Sequence, residues 1–291
     1  VKELLSPKQV ARAIGVSESS LKRWCDQGLI QTVRTAGGHR KLPICDVMRF
    51  LREQKHALIC PELLGMPSCS PQSEIGLERG RASLTEALLE GNEALARRVV
   101  VDLYLAKHSI SVLCDQVICG AAREIDCRLE SLTIDIYQER RSRELIQRIL
   151  YELRRQQPDP DPNWKACGGS LEGDAYSLPT NMVELVLRNS DWDAVSLGTS
   201  IPVASMVHAI TQTKPRLFWV CISRVDDPER FVHDFKLLSD AAEAAGAALA
   251  VGGRALTDEL RKQITFCCSC ETMQHLESFA KAVRRIGAAL A

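Results

Sequence analysis

The chain has 291 residues, 25% of them charged, with 37 Lys and Arg balanced by 37 Asp and Glu. That length gives room for two or three domains with real cores. No apolar run approaches the ~18 residues of a membrane helix and no leader pattern opens the chain, so a soluble cytoplasmic protein with no membrane partner is expected. The 12 cysteines are scattered through a long chain and read as reduced thiols, not as a disulfide framework.

Taken in chain order, Ser6-Pro7 offers an N-cap hydroxyl and a proline at the first helical position, where its missing N–H costs nothing. Val10, Ala11 and Ile14 recur on one face and Gly15 ends the turn. Ser17 can cap a second helix carrying Leu21 and Trp24, which Gly28 terminates. Two helices joined by a short turn containing Gly form a helix-turn-helix, whose second helix enters the major groove. Ser19, Ser20, Lys22 and Arg23 project from that helix as donors for phosphates and base edges. A short strand with Arg34 and Thr35, a Gly37-Gly38 turn, and His39-Arg40-Lys41 then make a basic hairpin wing. A lone Lys-Arg pair would be read as solvated charge. Here residues 1–56 hold 11 basic against 5 acidic residues, a net +6, so a neutral chain leaves −6 on the remainder. That asymmetry fits a nucleic-acid head on an acidic body.

The runs Ser6-Pro7-Lys8-Gln9-Val10-Ala11, Leu21-Lys22-Arg23-Trp24, Gly28-Leu29-Ile30 and Thr35-Ala36-Gly37-Gly38-His39-Arg40 resemble the winged-helix domains of MerR-type regulators. The resemblance covers about the first 55 residues. It implies double-stranded DNA as partner, with Lys22 and Arg23 on the groove helix and His39 and Arg40 on backbone or minor groove.

Residues 57–81 are rich in Pro, Gly and Ser and read as a linker that tethers the head. Residues 82–157 show helical spacing with breaks at Gly91, at His108-Ser109 and at Leu129-Glu130-Ser131, which predicts a four-helix bundle. Pro158, Pro160 and Pro162 end it. Over 164–291 the rhythm becomes strand–helix. Strands are predicted at 165–168, 194–196, 217–222, 248–251 and 265–268, with helices at 179–188, 203–213, 227–245, 255–262 and 272–286. The expected fold class is therefore α and α/β multidomain: winged helix-turn-helix, bundle, then a flavodoxin-like doubly wound parallel sheet. Its ligands would bind at the carboxyl ends of the first, third and fourth strands. The run from Ile264 to Cys270 reads as a buried strand with its thiols as small hydrophobes, and a zinc site would need a second cysteine pair. No nucleophile triad, Walker loop or paired-histidine helix is present, so neither a metal nor an enzyme activity is expected.

This domain order resembles the light-responsive, cobalamin-binding repressors of carotenoid genes, and the α/β segment resembles the corrinoid module of methionine synthase. The resemblance implies an Asp/Glu-x-His-x-x-Gly element whose His is the lower cobalt ligand. Here Asp174 is kept, but Tyr176 stands for His and Pro179 for Gly. Ser223-Arg224-Val225 resembles the Ser-x-Leu element, and Gly252-Gly253 the pair that admits the nucleotide tail. The bundle should supply a Trp and a Glu-His pair; aligned on Tyr137-Gln138-Glu139-Arg140, the chain has Leu129, Glu139 and Arg140 there. Neutral imidazole suits cobalt, whereas a phenol with a pKa near ~10 does not. A transcriptional regulator, most simply a repressor of repeated or palindromic operators, is expected, with no cofactor and with a body that oligomerises or recognises a signal or an antirepressor protein. Homo-oligomers follow because single heads bury little DNA surface. The alternative keeps cobalamin or another tetrapyrrole, with Tyr176 as an oxygen ligand to ferric haem or unligated; a corrinoid carrier of a methyltransferase ranks lower.

Overall fold

The computed structural model describes residues 4–35, 37–54, 56, 59–64 and 76–289. Ala36 of the predicted wing turn and residues 65–75 of the predicted linker lie outside the described residues. The chain divides into two compact units, Val1–Pro158 and Asp159–Ala291.

The first unit opens with β1 (Leu4–Leu5), α1 (Pro7–Ile14), α2 (Glu18–Asp26), β2 (Val33–Arg34), β3 (Arg40–Pro43) and α3 (Ile44–Gln54). Ser6 accepts from the Gln9 amide while the Gln9 side chain returns to Ser6, closing a capping box. Gly15 leaves α1 at φ 74°, left-handed backbone that favours glycine. The sheet runs β1-β3-β2, both pairs antiparallel. The sequence reading named neither β1 nor α3. Val47, Met48, Phe50 and Leu51 of α3 are buried, and the Phe50 ring lies tilted against Trp24 of α2, centroids 4.9 Å apart. Beyond the head the chain folds back on α1: the Ile59 and Cys60 amides donate to the Ala13 carbonyl at 2.7 and 3.0 Å, and Leu64 is buried.

The bundle consists of α4 (Leu77–Glu90), α5 (Glu93–Leu105), α6 (Ile110–Val112) continuing through a π-helical turn (Leu113–Ile118) into α7 (Cys119–Glu130), and α8 (Ile136–Arg155). Helix α4 begins inside the stretch read as linker; Gly80 is buried against Leu103, where a side chain would collide. Gly91 ends α4 in the left-handed region, and Ser109 and Asp135 cap the helices that follow the other predicted breaks. Head and bundle are in contact. The Arg52 guanidinium donates to the Lys107 and His108 carbonyls at 3.2 and 3.1 Å and covers the Tyr104 ring.

The second unit alternates β4 (Asp161–Leu171), α9 (Ser177–Asn189), β5 (Trp192–Ile201), α10 (Val203–Thr213), β6 (Leu217–Cys221), α11 (Pro228–Ala245), β7 (Ala248–Gly252), α12 (Asp258–Arg261), β8 (Cys268–Ser269) and α13 (Met273–Ala289). The five strands are parallel in the order β5-β4-β6-β7-β8, the flavodoxin-like arrangement. Strand β6 is buried throughout, as a central parallel strand with both faces covered must be. One expectation is corrected: the run 264–270 is not a buried strand. Its only strand residues, Cys268 and Ser269, form the short β8 at the sheet edge, with Cys267 exposed and Cys268 and Cys270 half-buried. Among the described residues no helix is long and apolar enough to cross a membrane.

Candidate nucleic-acid interface and sensor site

Helix α2 is amphipathic on a small scale. Leu21 is fully buried against the head core, which turns Ser19, Lys22 and Arg23 outward. The Ser17 hydroxyl caps the helix through the Ser20 amide at 3.1 Å and also meets the Ser19 and Ser20 hydroxyls at 2.8 and 3.0 Å. On the wing Arg34 and His39 are exposed, while Thr35 and Lys41 are half-buried; the Thr35 amide donates to the His39 carbonyl, closing the hairpin. Lys22, Arg23, Arg34, His39 and Lys41 have no ion-pair partner among the described residues. Arg40 differs. Its guanidinium is paired with Asp26 of α2 at 2.8 Å, so it straps the wing to that helix. Burial pushes the Cys25 thiol up, and Arg40 partly opposes the shift.

In the second unit, five predicted positions converge at the carboxyl ends of β4, β6 and β7. The Asp174 side chain is buried; one carboxylate oxygen accepts from the Tyr176 amide at 3.1 Å and the other from the Ser223 and Arg224 amides at 2.6 and 3.3 Å. The Asp174 carbonyl accepts from the Ser170 hydroxyl and the Ser200 amide. The Ser223 hydroxyl oxygen is buried with no hydrogen-bond partner among the described residues. Gly252 is joined to Ile222 through its carbonyl, and Gly253, at φ 133°, lies against the Ile222 backbone. A side chain on either glycine would run into a carbonyl: that of Cys270 for Gly252, that of Ile222 for Gly253. Tyr176 lies beneath Arg254, whose guanidinium is 5.6 Å from the ring centroid. Sequence reasoning missed Arg254, although it directly follows the Gly-Gly pair. Between the ends of β4 and β6, at the switch point of the sheet, is a cavity of about 160 Å³ bordered by Gly173, Asp174, Cys221, Arg224 and Arg230.

The other three predicted positions belong to the first unit. Glu139 is buried in α8 and paired with Arg143, which also reaches Asp126 of α7 at 2.9 Å. Arg140 is largely exposed, with its Nε 3.4 Å from Glu139. Leu129 is half-buried in the last turn of α7, near the exposed Leu132, Ile136 and Tyr137 at the α7–α8 connection. Arg143, which holds Glu139, and Asp126, the second partner of Arg143, carried no signal in the sequence beyond helical spacing.

Together these features define a chain with an amino-terminal helix-turn-helix head followed by a helical bundle and an α/β sheet of the cobalamin-binding fold. The helix-turn-helix domain model matches residues 4–55. Among solved structures, the chain is similar to the monomethylamine corrinoid protein of Methanosarcina barkeri, at 14% identity over 72% of this chain and 100% of that one, with a TM-score of 0.57. A cobalamin-binding protein from Desulfitobacterium hafniense matches at 16% identity over 72% of this chain and 98% of that one, with a TM-score of 0.37. A search of curated proteins gives no match.

Proposed function

We propose that the chain is a transcriptional regulator of the MerR type, a repressor that grips repeated or palindromic operator DNA through α2 and the wing. The carrying observation is the set of basic side chains on those two elements that have no ion-pair partner among the described residues: Lys22 and Arg23 on α2 and Arg34, His39 and Lys41 on the wing. Phosphates are their natural counter-charge. In this reading the body holds copies together, as a homo-oligomer, and recognises a signal or an antirepressor protein in the cytoplasm; the chain carries out no catalysis. Fluorescence anisotropy with labelled duplex at rising salt tests it. Binding that weakens steeply with salt is expected; indifference to every duplex at low ionic strength would remove the reading.

The body is read as working without a His-ligated cobalamin. Tyr176 occupies the ligand position, and Gly252 and Gly253 are accounted for by backbone packing, since a Cβ on either would run into the Cys270 or Ile222 carbonyl. The cavity at the switch point is smaller than the ~300 Å³ at which ligand sites begin. A second reading, in which the module senses cobalamin or another tetrapyrrole, draws on the likeness of fold to the corrinoid protein. Adding cobalamins or haem to purified protein and measuring retained absorbance separates the two: stoichiometric retention favours the second reading.

A further inference from the structure

Cys268 and Cys270 place their sulfurs 3.7 Å apart at the end of β8. Side chains two apart on a strand share a face, which leaves Cys267 on the other one. There its sulfur accepts from the Leu249 amide at 3.3 Å. No three His, Cys, Asp or Glu side chains converge as a metal site among the described residues. We propose that Cys268 and Cys270 form a reversible intrachain disulfide, a peroxide-responsive modification site on the edge strand of the α/β unit.

The geometry supplies both the pairing and its lability. Two sulfurs in contact must close to ~2.05 Å, and an extended strand holds alternate Cα atoms ~6.6–6.8 Å apart, at the upper limit for a disulfide. The closed ring is therefore strained, and strained, accessible disulfides are the ones that are readily reduced again. The strand can give way. It is only two residues long, lies at the sheet edge, and is tied to β7 at Ala250↔Cys268 and Val251↔Ser269. Burial and the neighbouring Cys268 push the Cys270 thiol up to about 12, so it keeps its proton until it is consumed. Cys221, deeper in the sheet, is buried, and burial above all, with Asp174 and Cys270 nearby, pushes its thiol up.

Hydrogen peroxide is the oxidant. The Cys268 thiolate attacks one peroxide oxygen; an S–O bond forms, the O–O bond breaks, and hydroxide leaves to become water with the proton that the thiol released. Cys270 then attacks the sulfenic sulfur; the S–S bond forms, the S–O bond breaks, and the Cys270 proton departs with that oxygen as a second water. Two thiols are oxidised by two electrons and one peroxide is reduced. The consequence is local. Drawing the two Cα atoms together weakens the bond from the Cys270 amide to the Val251 carbonyl and shifts the Cys270 carbonyl that Gly252 accommodates. The Gly252–Gly253 turn, which carries Arg254 over Tyr176, is thereby coupled to the redox state of β8.

The test uses the full reduced chain treated with hydrogen peroxide, free thiols labelled with N-ethylmaleimide, and mass spectrometry of the tryptic peptide 263–281. We expect the peptide to lose two of its three labels and two hydrogens, to keep its remaining label on Cys267, and to regain all three labels after dithiothreitol. Cys268→Ser and Cys270→Ser should each abolish the change, with Cys270→Ser leaving a dimedone-reactive sulfenic acid on Cys268; Cys267→Ser should leave it intact. Three labels surviving excess peroxide, or a disulfide that persists in Cys270→Ser, would overturn the assignment. Hydrogen exchange of residues 252–257 should quicken on oxidation, and unchanged exchange in a chain carrying the disulfide would overturn the coupling to the turn.

Discussion

Asp174 aligns two loops that no strand pairing joins. Its carboxylate gathers the amides of Tyr176, Ser223 and Arg224, so the loops after β4 and β6 are tied together beyond the last strand pairing, Gly169↔Val220. Replacing it by Ala leaves three part-buried donors unsatisfied and should cost at least about 3 kcal/mol, since each orphaned group carries ~1–3. Asp174→Asn keeps one acceptor oxygen and should lose about half as much. Urea midpoints at unchanged m-value measure both, and equal losses would show that the carboxylate has no special part. The buried thiols add a pH dependence. Burial raises Cys119 to about 11 and Cys270 to about 12, above the ordinary thiol range. A folded-state pKa raised in this way contributes stability at neutral pH that is lost as pH climbs through the folded value. Unfolding free energy should therefore fall from about pH 9 to about 11 through Cys119 and on to about 12 through Cys270, by at most ~1.4 kcal/mol per pH unit for each group, and Cys119→Ala should flatten the lower part of that fall.

At the scale of elements, the wing and α2 act as one piece because Arg40 reaches Asp26. Asp26→Ala removes an acidic group beside the proposed DNA face and frees Arg40. It should tighten duplex binding and steepen its salt dependence by about one phosphate contact, whereas Lys22→Ala and Arg23→Ala should each make it shallower by about one. Weaker binding by Asp26→Ala would mean that the strap orients the wing for docking. The carboxyl-end turn is equally specified: Gly253→Ala must adopt φ 133° with its methyl against the Ile222 carbonyl, and should lower stability by at least ~2–3 kcal/mol. Such elements were legible in the sequence wherever a cap or breaker marked them. Ser6, Gly15, Ser17, Gly91 and Ser109 each sit at the helix boundary their chemistry implies. Helix α3 was missed because it follows Pro43 of β3 with neither a side-chain cap nor a glycine to announce it. The edge position of β8 was illegible for another reason: apolar character does not say which strand ends a sheet, so the thiols of 267–270 read as core. At the strand-end site the motif positions could be named from sequence, but the Ser223 and Arg224 amides on Asp174 could not, because they lie some 50 residues from it along the chain.

The whole molecule places a cationic head and a charge-compensating body on one chain, and its two units differ in what each can do alone. Unit Val1–Pro158 keeps every proposed DNA contact, and Arg52 holds α3 to the C-terminal end of α5, so the head need not rely on the α/β unit for its fold. If the α/β unit links copies of the chain, its value to DNA binding is effective concentration: a second head engages an adjoining half-site from a tether and not from solution. Linkage of that kind typically raises affinity by 10²–10⁴-fold. A chain ending at residue 158 should then bind a single half-site as the full chain does and lose roughly that factor on a paired site, with its mass in solution falling to that of a monomer. The salt slope per head should not change, because it counts phosphates and not copies. Equal affinity of both chains for a paired operator, with the full chain sedimenting as a monomer, would place the second unit outside DNA binding altogether and leave ligand or partner recognition as its work.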